Sequence, residues 1–191
     1  CAQVRILPRA PNVGASLLGL ALAMSGAVVS SNALAQASGT LPTGAATTSG
    51  SATYTTSGST LTVNQASQNL GTNWQSFSIG QGNTVIFNQP NSQSIAVNRV
   101  VGTSRSDIYG NLVANGQVFL LNPNGVLFGR TAQVDVGGLL VATKTLSNAD
   151  MAAGNFNQLR LLGAAGAGSA DITVLGANGT ASGAKIAARE G

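Results

Sequence analysis

Short apolar segments recur along this chain at an even spacing, which restricts the fold more than any other feature. Three of them begin at Val118, Val126 and Val134, eight residues apart. Turn-forming residues separate them, first Asn122–Gly125 (NPNG) and then a run that begins at Gly129. Equal spacing with turns between strands indicates repetition of one structural unit and disfavours a helical or doubly wound domain.

The same pattern extends over most of the chain. Each segment has a period of two and many β-branched side chains, which is typical of β-strands. The segments lie at 61–63, 85–87, 95–97, 118–120, 126–128, 134–136 and 172–174. A sandwich or barrel needs tight hairpin turns, whereas a solenoid needs very short strands, Gly and Asn corners and few charges. We therefore predict an all-β fold, a parallel β-helix wound as a single-stranded solenoid, with almost no room for helices.

Asparagine ends four of these segments, at Asn64, Asn88, Asn98 and Asn122. In a coil of stacked parallel strands, asparagine at a corner can bond the backbone and the residue stacked on it. Asparagine also simply tolerates turn conformations. The sequence leaves both interpretations open.

Charge and reactive side chains exclude several classes of function. The 191 residues include nine basic and five acidic side chains, no histidine and a single cysteine, Cys1. Ser-His-Asp and Cys-His catalysis, a zinc site with histidine and an internal disulfide are therefore all ruled out. No cluster of Lys or Arg is available to neutralise phosphates, so we expect no nucleic acid partner. We also expect no cofactor and no metal.

The first 35 residues have the pattern of a secretory signal peptide. Arg5 and Arg9 precede an apolar run over 13–29, and an A-x-A site follows at Ala33 to Ala35. We predict cleavage between Ala35 and Gln36, with Ala37 as the second choice. The alternative is a transmembrane anchor, because the run reaches the lower limit of a bilayer span.

After the leader, composition changes twice. Residues 36–60 are rich in Ser, Thr and Gly, and we predict a lead-in that forms the N-terminal cap of the solenoid. A cap is expected because unpaired strand edges at the end of a coil invite aggregation. Residues 61–191 are predicted to form the β-helix itself.

From Phe87 to Thr143, and less closely over about 60 to 150, the chain resembles a known family. The resemblance lies in FNQP at 87–90, IYGNL at 108–112, ANGQVFLLNPNGVLFG at 114–129 and VDVGGLLVAT at 134–143. It is similar to the N-terminal secretion domain, also called the haemagglutination activity domain, of filamentous haemagglutinin-like exoproteins. These proteins are the cargo of two-partner secretion in Gram-negative bacteria.

The resemblance implies a right-handed β-helix that enters the periplasm through Sec. There the periplasmic POTRA domains of a TpsB-type outer-membrane transporter would recognise it. The family motif carries over as Asn122, Pro123, Asn124 and Gly125, a corner for transporter recognition or folding. The second, upstream family motif, NPNL, has only Asn88–Asn91 (NQPN) as its counterpart, which leaves its role open.

Function follows from the same resemblance. It implies a non-enzymatic secretion signal and folding nucleus of a large adhesin, haemagglutinin or toxin stalk at the cell surface, with a host glycan or receptor as a further partner. Family domains continue for several more rungs, so we expect the domain to be incomplete at Gly191. The alternatives are a carbohydrate-active or glycan-binding β-helix and a disordered linker.

Five further groups of residues are weighed for other roles. Asp107, Asp135, Asp150 and Asp171 are spread singly, which disfavours the paired carboxylates of a glycosidase. Asn98 and Arg99 are candidate contacts to a partner, and Arg99 with Arg105 fits an acidic surface or, more simply, two solvated charges. Trp74 and Phe77 fit the core or the space under the cap better than a sugar platform. The glycine run 163–168 and the sequon Asn178–Thr180 are read as turns.

Overall fold

The protein is described by a computed structural model over residues 40–163, 170–179 and 181–189. These residues belong to one compact unit, Ala33–Gly191. The predicted signal peptide, with its cleavage residues Ala33, Ala35 and Gln36, lies outside the described residues.

Fourteen strands and one short helix make up the described part of the chain. The strands are β1 (Ala46–Ser49), β2 (Ala52–Ser57), β3 (Thr60–Gln65), β4 (Asn69–Trp74), β5 (Thr84–Asn88), β6 (Ile95–Val100), β7 (Ser106–Ile108), β8 (Asn111–Ala114), β9 (Gln117–Leu121), β10 (Val126–Phe128), β11 (Gln133–Val136), β12 (Gly138–Ala142), β13 (Ile172–Val174) and β14 (Lys185–Ala188). The helix α1 spans Asn148–Ala153, between β12 and β13.

Three parallel stacks form the faces of a solenoid. The first face is the order β14-β11-β8-β5-β3-β2, the second is β1-β4-β6-β9-β12, and the third is β13-β10-β7. Apart from β1 and β2, every pairing between these strands is parallel. The predicted all-β parallel solenoid is therefore confirmed.

Each turn of the chain visits the first, second and third face in that order. We call such a turn a rung: β3 and β4 begin rung one, β5 to β7 form rung two, β8 to β10 rung three, β11 to β13 rung four, and β14 starts rung five. Thr60, Thr84, Asn111 and Gln133 stack on the first face, so successive turns take 24, 27 and 22 residues.

The eight-residue spacing has a simple structural origin. Val118 lies on β9, Val126 on β10 and Val134 on β11, which belong to three different faces. Eight residues is therefore the step from one face to the next, and the stacked unit is the whole turn. All three side chains point into the core, with at most 2% of their surface exposed.

Two antiparallel strands close the N-terminal end. β1 pairs with β4 on the second face, and β2 pairs with β3 on the first. Both lie within the segment 36–60, where the sequence predicts a cap. Antiparallel strands cannot continue a parallel stack, so they end it while still satisfying the backbone groups of rung one.

Aromatic side chains fill the space beneath this cap. Trp74 packs edge to face on Tyr54 and on Phe77, with ring centroids 5.7 and 5.4 Å apart. The indole nitrogen of Trp74 donates to Asn98 Oδ1 over 2.9 Å. Trp74 and Phe77 are each 1% exposed, so the predicted burial under the cap is confirmed and neither ring forms a sugar platform.

Between β12 and β13 the chain leaves the solenoid. α1 begins after Ser147, whose Oγ accepts from the backbone N of Asp150, and ends at Gly154 in the left-handed conformation with φ +66°. The prediction left almost no room for helices, and this one lies outside the coil. Among the described residues, no helix is long and apolar enough to cross a membrane.

Candidate functional site

The NPNG corner joins β9 on the second face to β10 on the third. The backbone N of Gly125 donates to the carbonyl of Asn122 over 3.0 Å, which closes a β-turn around Pro123 and Asn124. Gly125 has φ +102°, a conformation that favours glycine. The sequence therefore supplies both special backbone geometries of this turn, with proline fixing φ at its first central position.

Asn122 is the centre of this corner. Its side chain is fully buried, and its Oδ1 accepts from both the backbone N and the Nδ2 of Asn124, over 2.9 and 3.0 Å. Its Nδ2 donates to the carbonyl of Ser104 over 3.0 Å and to Ser106 Oγ over 2.9 Å. Asn122 thus satisfies all of its side-chain donors and acceptors, partly in its own turn and partly in rung two.

Asn124 is exposed, yet it also reaches the rung beneath. Its Nδ2 donates to the carbonyl of Gly102 over 2.9 Å. In the other direction, the backbone N of Asn122 donates to Ala142 in rung four over 3.0 Å, and a Cβ on Gly125 would lie 3.0 Å from the carbonyl of Asp171. The corner therefore fastens three successive rungs to one another.

The upstream NQPN segment occupies a different corner, between the first and second faces. Gln89 is 7% exposed, and its Nε2 donates to the carbonyl of Ser94 over 2.9 Å. Its Oε1 accepts from the backbone N of Gly116 over 3.0 Å, and its own backbone N donates to Asn115 Oδ1 over 2.7 Å. This corner, like NPNG, contains a buried amide side chain, but glutamine takes the place of asparagine.

Below it, the same corner of rung one repeats the arrangement. Asn88 Nδ2 donates to Asn64 Oδ1 over 2.8 Å, and Gln89 Nε2 lies 3.3 Å from Gln65 Oε1. The stacking interpretation therefore holds for Asn64 and Asn88. Sequence reasoning missed the glutamines, although the pair Asn-Gln recurs at 64–65 and at 88–89, one turn apart.

Asn98 does not end a strand but lies inside β6, with 1% of its surface exposed. It accepts from Trp74, and its Nδ2 donates to the carbonyl of Ala96 over 3.1 Å. The expectation of a corner at Asn98 is wrong, because the strand continues to Val100 and the side chain points into the structure.

Arg99 is also buried, at 5% exposure, so the expectation of a solvated charge is wrong for this residue. Its Nε donates to Asn73 Oδ1 over 2.8 Å, its Nη1 to the carbonyl of Leu146 over 2.7 Å and its Nη2 to Asn148 Oδ1 over 2.8 Å. Burial lowers the pKa of Arg99 from its ordinary value, because the cation loses water. A partner contact at Asn98 or Arg99 stays a prediction, and it requires the covering chain to be absent.

Arg105 is exposed, and its Nε contacts Asp107 Oδ1 over 2.7 Å. The carboxylates occupy different elements: Asp107 lies on β7, Asp135 on β11 beside Arg189, and Asp150 in α1, where it bonds Ser147 over 2.7 Å. The described residues hold no group of three or more acidic, histidine or cysteine side chains that could bind a metal ion.

The remaining candidates are turns or lie partly outside the described residues. Asn178 and Ala181 form an antiparallel bridge around the sequon, in agreement with the predicted turn, while Thr180 itself is outside the described part. Of the glycine run, only Gly163 is described.

Stacked parallel faces, an antiparallel cap and amide side chains at the corners define the class: a capped β-solenoid of the kind used for protein secretion. The TPS secretion domain family matches residues 38–189, and the chain belongs to that family. The predicted membership of the two-partner secretion exoproteins is thereby confirmed.

Two curated relatives are heme/hemopexin-binding proteins of Haemophilus influenzae. One, from strain ATCC 51907 / DSM 11121 / KW20 / Rd, is 43% identical over 106 residues, or 56% of this chain and 12% of the relative. The other is 48% identical over 86 residues, or 45% of this chain and 9% of the relative. The chain thus aligns with only about a tenth of these proteins.

Among solved structures, the crystal structure of the HMW1 secretion domain from Haemophilus influenzae is similar. The TM-score is 0.63 at 29% sequence identity, over 69% of this chain and 35% of that one. The domain is therefore the secretion domain of a two-partner exoprotein. Such proteins are secreted across the outer membrane to the cell surface, their partner is a TpsB-type transporter, and the family is not one of enzymes.

Proposed function

We propose that residues 36–191 act as the secretion signal and folding nucleus of their exoprotein. In this proposal the periplasmic POTRA domains of the TpsB-type transporter recognise the chain, and the corner Asn122–Gly125 contributes to recognition or to nucleation. The observation that carries the proposal is the arrangement around Asn122, which connects three rungs through a single turn.

The route to the periplasm is part of the same proposal. Residues 1–35 direct the chain through Sec, and signal peptidase cleaves between Ala35 and Gln36. The basic flank, apolar centre and small residues at Ala33 and Ala35 support this route.

Physical properties of the sequence suit passage through a narrow barrel. A chain without internal disulfides can cross unfolded, and only seven basic and five acidic residues follow position 35. Parallel strands must close a loop of some 20 residues before any contact rewards it, so nucleation is slow and the addition of later rungs is easier. The cap and the NPNG corner supply such a nucleus within rungs one to four.

For the exoprotein as a whole we propose a non-enzymatic role as an adhesin, haemagglutinin or toxin stalk that binds a host receptor or glycan. We place that binding outside this domain. Trp74 and Phe77 are buried, and the carboxylates of Asp107, Asp135 and Asp150 lie on separate elements, so neither a sugar platform nor a glycosidase pair is available in the described residues.

Co-expression tests the proposal. The full chain is produced in a Gram-negative host with and without its paired transporter, and the medium, cell surface and periplasm are probed with an antibody. We expect the chain outside the cell only when the transporter is present, and its processed form in the periplasm when the transporter is deleted. Equal appearance outside the cell in both strains would refute the proposal.

A further inference from the structure

The chain between β12 and β13 forms a cover over the second face. We call residues Leu146–Leu161 the strap. Its two ends meet, because the backbone N of Thr145 donates to the carbonyl of Leu162 over 2.9 Å and the reverse bond measures 2.7 Å. The strap is thus a closed excursion that the solenoid does not need for its own connectivity.

Apolar contacts hold the strap down. Leu146, Met151 and Phe156 of the strap are each at most 2% exposed. They form one cluster with Ile95, Val97 and Leu121 on the outer side of β6 and β9, separate from the core inside the coil. Two hydrogen bonds add to this, from Thr48 Oγ1 to the carbonyl of Met151 and from Asn69 Nδ2 to the carbonyl of Gly154, over 3.4 and 2.9 Å.

Arg99 is the polar centre of the covered face. Two of its three hydrogen bonds go to the strap, at Leu146 and Asn148, and the third goes to Asn73. All three acceptors are neutral oxygens. In the described part of the chain the ion pairs are made by Arg105 and Arg189, and none involves Arg99. A buried cation with only neutral partners is costly, and a carboxylate is its preferred partner.

Chain order decides when this face is covered. β4, β6 and β9 all precede residue 122, whereas the strap begins at Leu146. Because chains are made from the N-terminus and domains fold as segments become available, rungs one to three can form before the strap arrives. During that interval Arg99 and the apolar residues Ile95, Val97 and Leu121 are open.

We propose that this open face binds a segment of the TpsB-type transporter that carries a carboxylate beside apolar side chains, and that docking of the strap then displaces it. The proposal rests on the secretion function proposed above. It deepens that function by assigning a recognition surface and a release step. The guanidinium offers a fork of donors that matches a carboxylate, and Val97 and Leu121 offer apolar contacts beside it.

The strap is both the cover and the competitor. Its Leu146 carbonyl and Asn148 side chain occupy the donors of Arg99 that a carboxylate would use, and its Phe156 covers the adjacent apolar surface. A bound transporter segment and a docked strap therefore exclude each other.

A strapless protein tests this directly. Residues 146–161 are replaced in the full chain by Asn-Gly, a two-residue turn suited to the antiparallel pair Thr145 and Leu162. Binding to the purified periplasmic domains of the paired transporter is measured by calorimetry. We expect the strapless protein to bind at least about tenfold more tightly than wild type, as expected for one charge-assisted contact. Adding Arg99→Gln should remove that gain, and a synthetic peptide of residues 146–161 should compete.

A matched control excludes a general loosening of the fold. Val134→Ala weakens the core at β11, away from the strap, and should leave the affinity at the wild-type value. Hydrogen exchange should show β6 and β9 still protected in the strapless protein. If that protein does not fold, the pair Met151→Ala and Phe156→Ala opens the strap instead, seen as lost protection at 146–156, and the same gain is expected.

Unchanged affinity after opening the strap would overturn the proposal, and so would a gain that survives Arg99→Gln. Either result leaves the secretion function intact if export still requires the transporter. Loss of that requirement, by contrast, would refute the secretion function itself.

Discussion

The Nδ2 of Asn122 lies 2.9 Å from Ser106 Oγ, and this contact joins the corner of rung three to the first residue of β7 in rung two. Both residues are fully buried. A side chain that bonds sideways into its own turn and along the axis into the previous rung couples local turn geometry to stacking. This coupling is what makes the corner a plausible nucleus for a parallel coil, in which local contacts alone are scarce.

Asn122→Ala should lower the free energy of unfolding by about 2 to 3 kcal/mol, because it leaves the Ser104 carbonyl and Ser106 Oγ without their donor in a buried site. Asn124→Ala removes a donor from an exposed side chain and should cost about 1 kcal/mol or less. Urea unfolding of the two variants measures the difference. Equal losses would show that burial of Asn122 is not what matters.

Gly125→Ala should be more harmful than another Gly→Ala change at positive φ. Both Gly125 and Gly82 have positive φ, at +102° and +81°, but a Cβ at Gly82 meets nothing within 4 Å, whereas one at Gly125 lies 3.0 Å from the Asp171 carbonyl. Backbone strain should cost each variant about 1 to 2 kcal/mol, and crowding adds to it only at Gly125. A thermal unfolding series on both variants compares them, and a larger loss at Gly82 would contradict the stacked corner.

Gln65 and Gln89 should be energetically coupled across the rungs. Gln89 Nε2 lies 3.3 Å from Gln65 Oε1, and both side chains are buried. A double-mutant cycle with Gln65→Ala and Gln89→Ala should give a coupling free energy of about 0.5 to 1 kcal/mol, the range for contacting residues in one network. Gln65 with Asn122, which share no contact, is the matched pair, and we expect additivity there.

Stability should not depend on pH near neutrality. Burial lowers the pKa of Arg99 in the folded state, so the buried charge opposes folding at every pH below that pKa and is relieved only as pH rises through it. Arginine stays protonated at neutral pH, and the chain has no histidine. The free energy of unfolding should therefore change by less than about 1 kcal/mol between roughly pH 5.5 and 7.5, the change that one titrating group would cause. A steeper slope would reveal a group whose protonation changes on unfolding.

Much of the fold could be predicted from the sequence, because strand period and turn chemistry are local. The segments around Val85, Val118, Val126 and Val134 are all strands, and the NPNG corner is a turn. The stacking order was harder: eight-residue spacing suggests one repeat, but these strands lie on different faces. Only knowledge of which residues pair, from Thr60 to Thr84 for example, reveals that a turn comprises three faces.

The covered face could not be predicted, since its cause lies far along the chain. Arg99 follows a turn-like asparagine and precedes a Gly-Thr-Ser run, which indicates an exposed position. Its burial depends on Leu146 and Asn148, 47 and 49 residues later. Nothing in the local pattern around Arg99 signals that contact. The recurrence of Asn-Gln at 64–65 and 88–89, by contrast, was a usable signal for the buried corner.

Export of a corner variant tests the central claim most directly, namely that this solenoid is a secretion signal whose NPNG turn is required. The variant with Asn122→Ala and Asn124→Ala is produced alongside its paired transporter and compared with wild type and with Val134→Ala, with surface and secreted protein quantified against the periplasmic pool. We predict a strong loss of export for the corner variant and a smaller loss for Val134→Ala. Wild-type export of the corner variant would contradict the account.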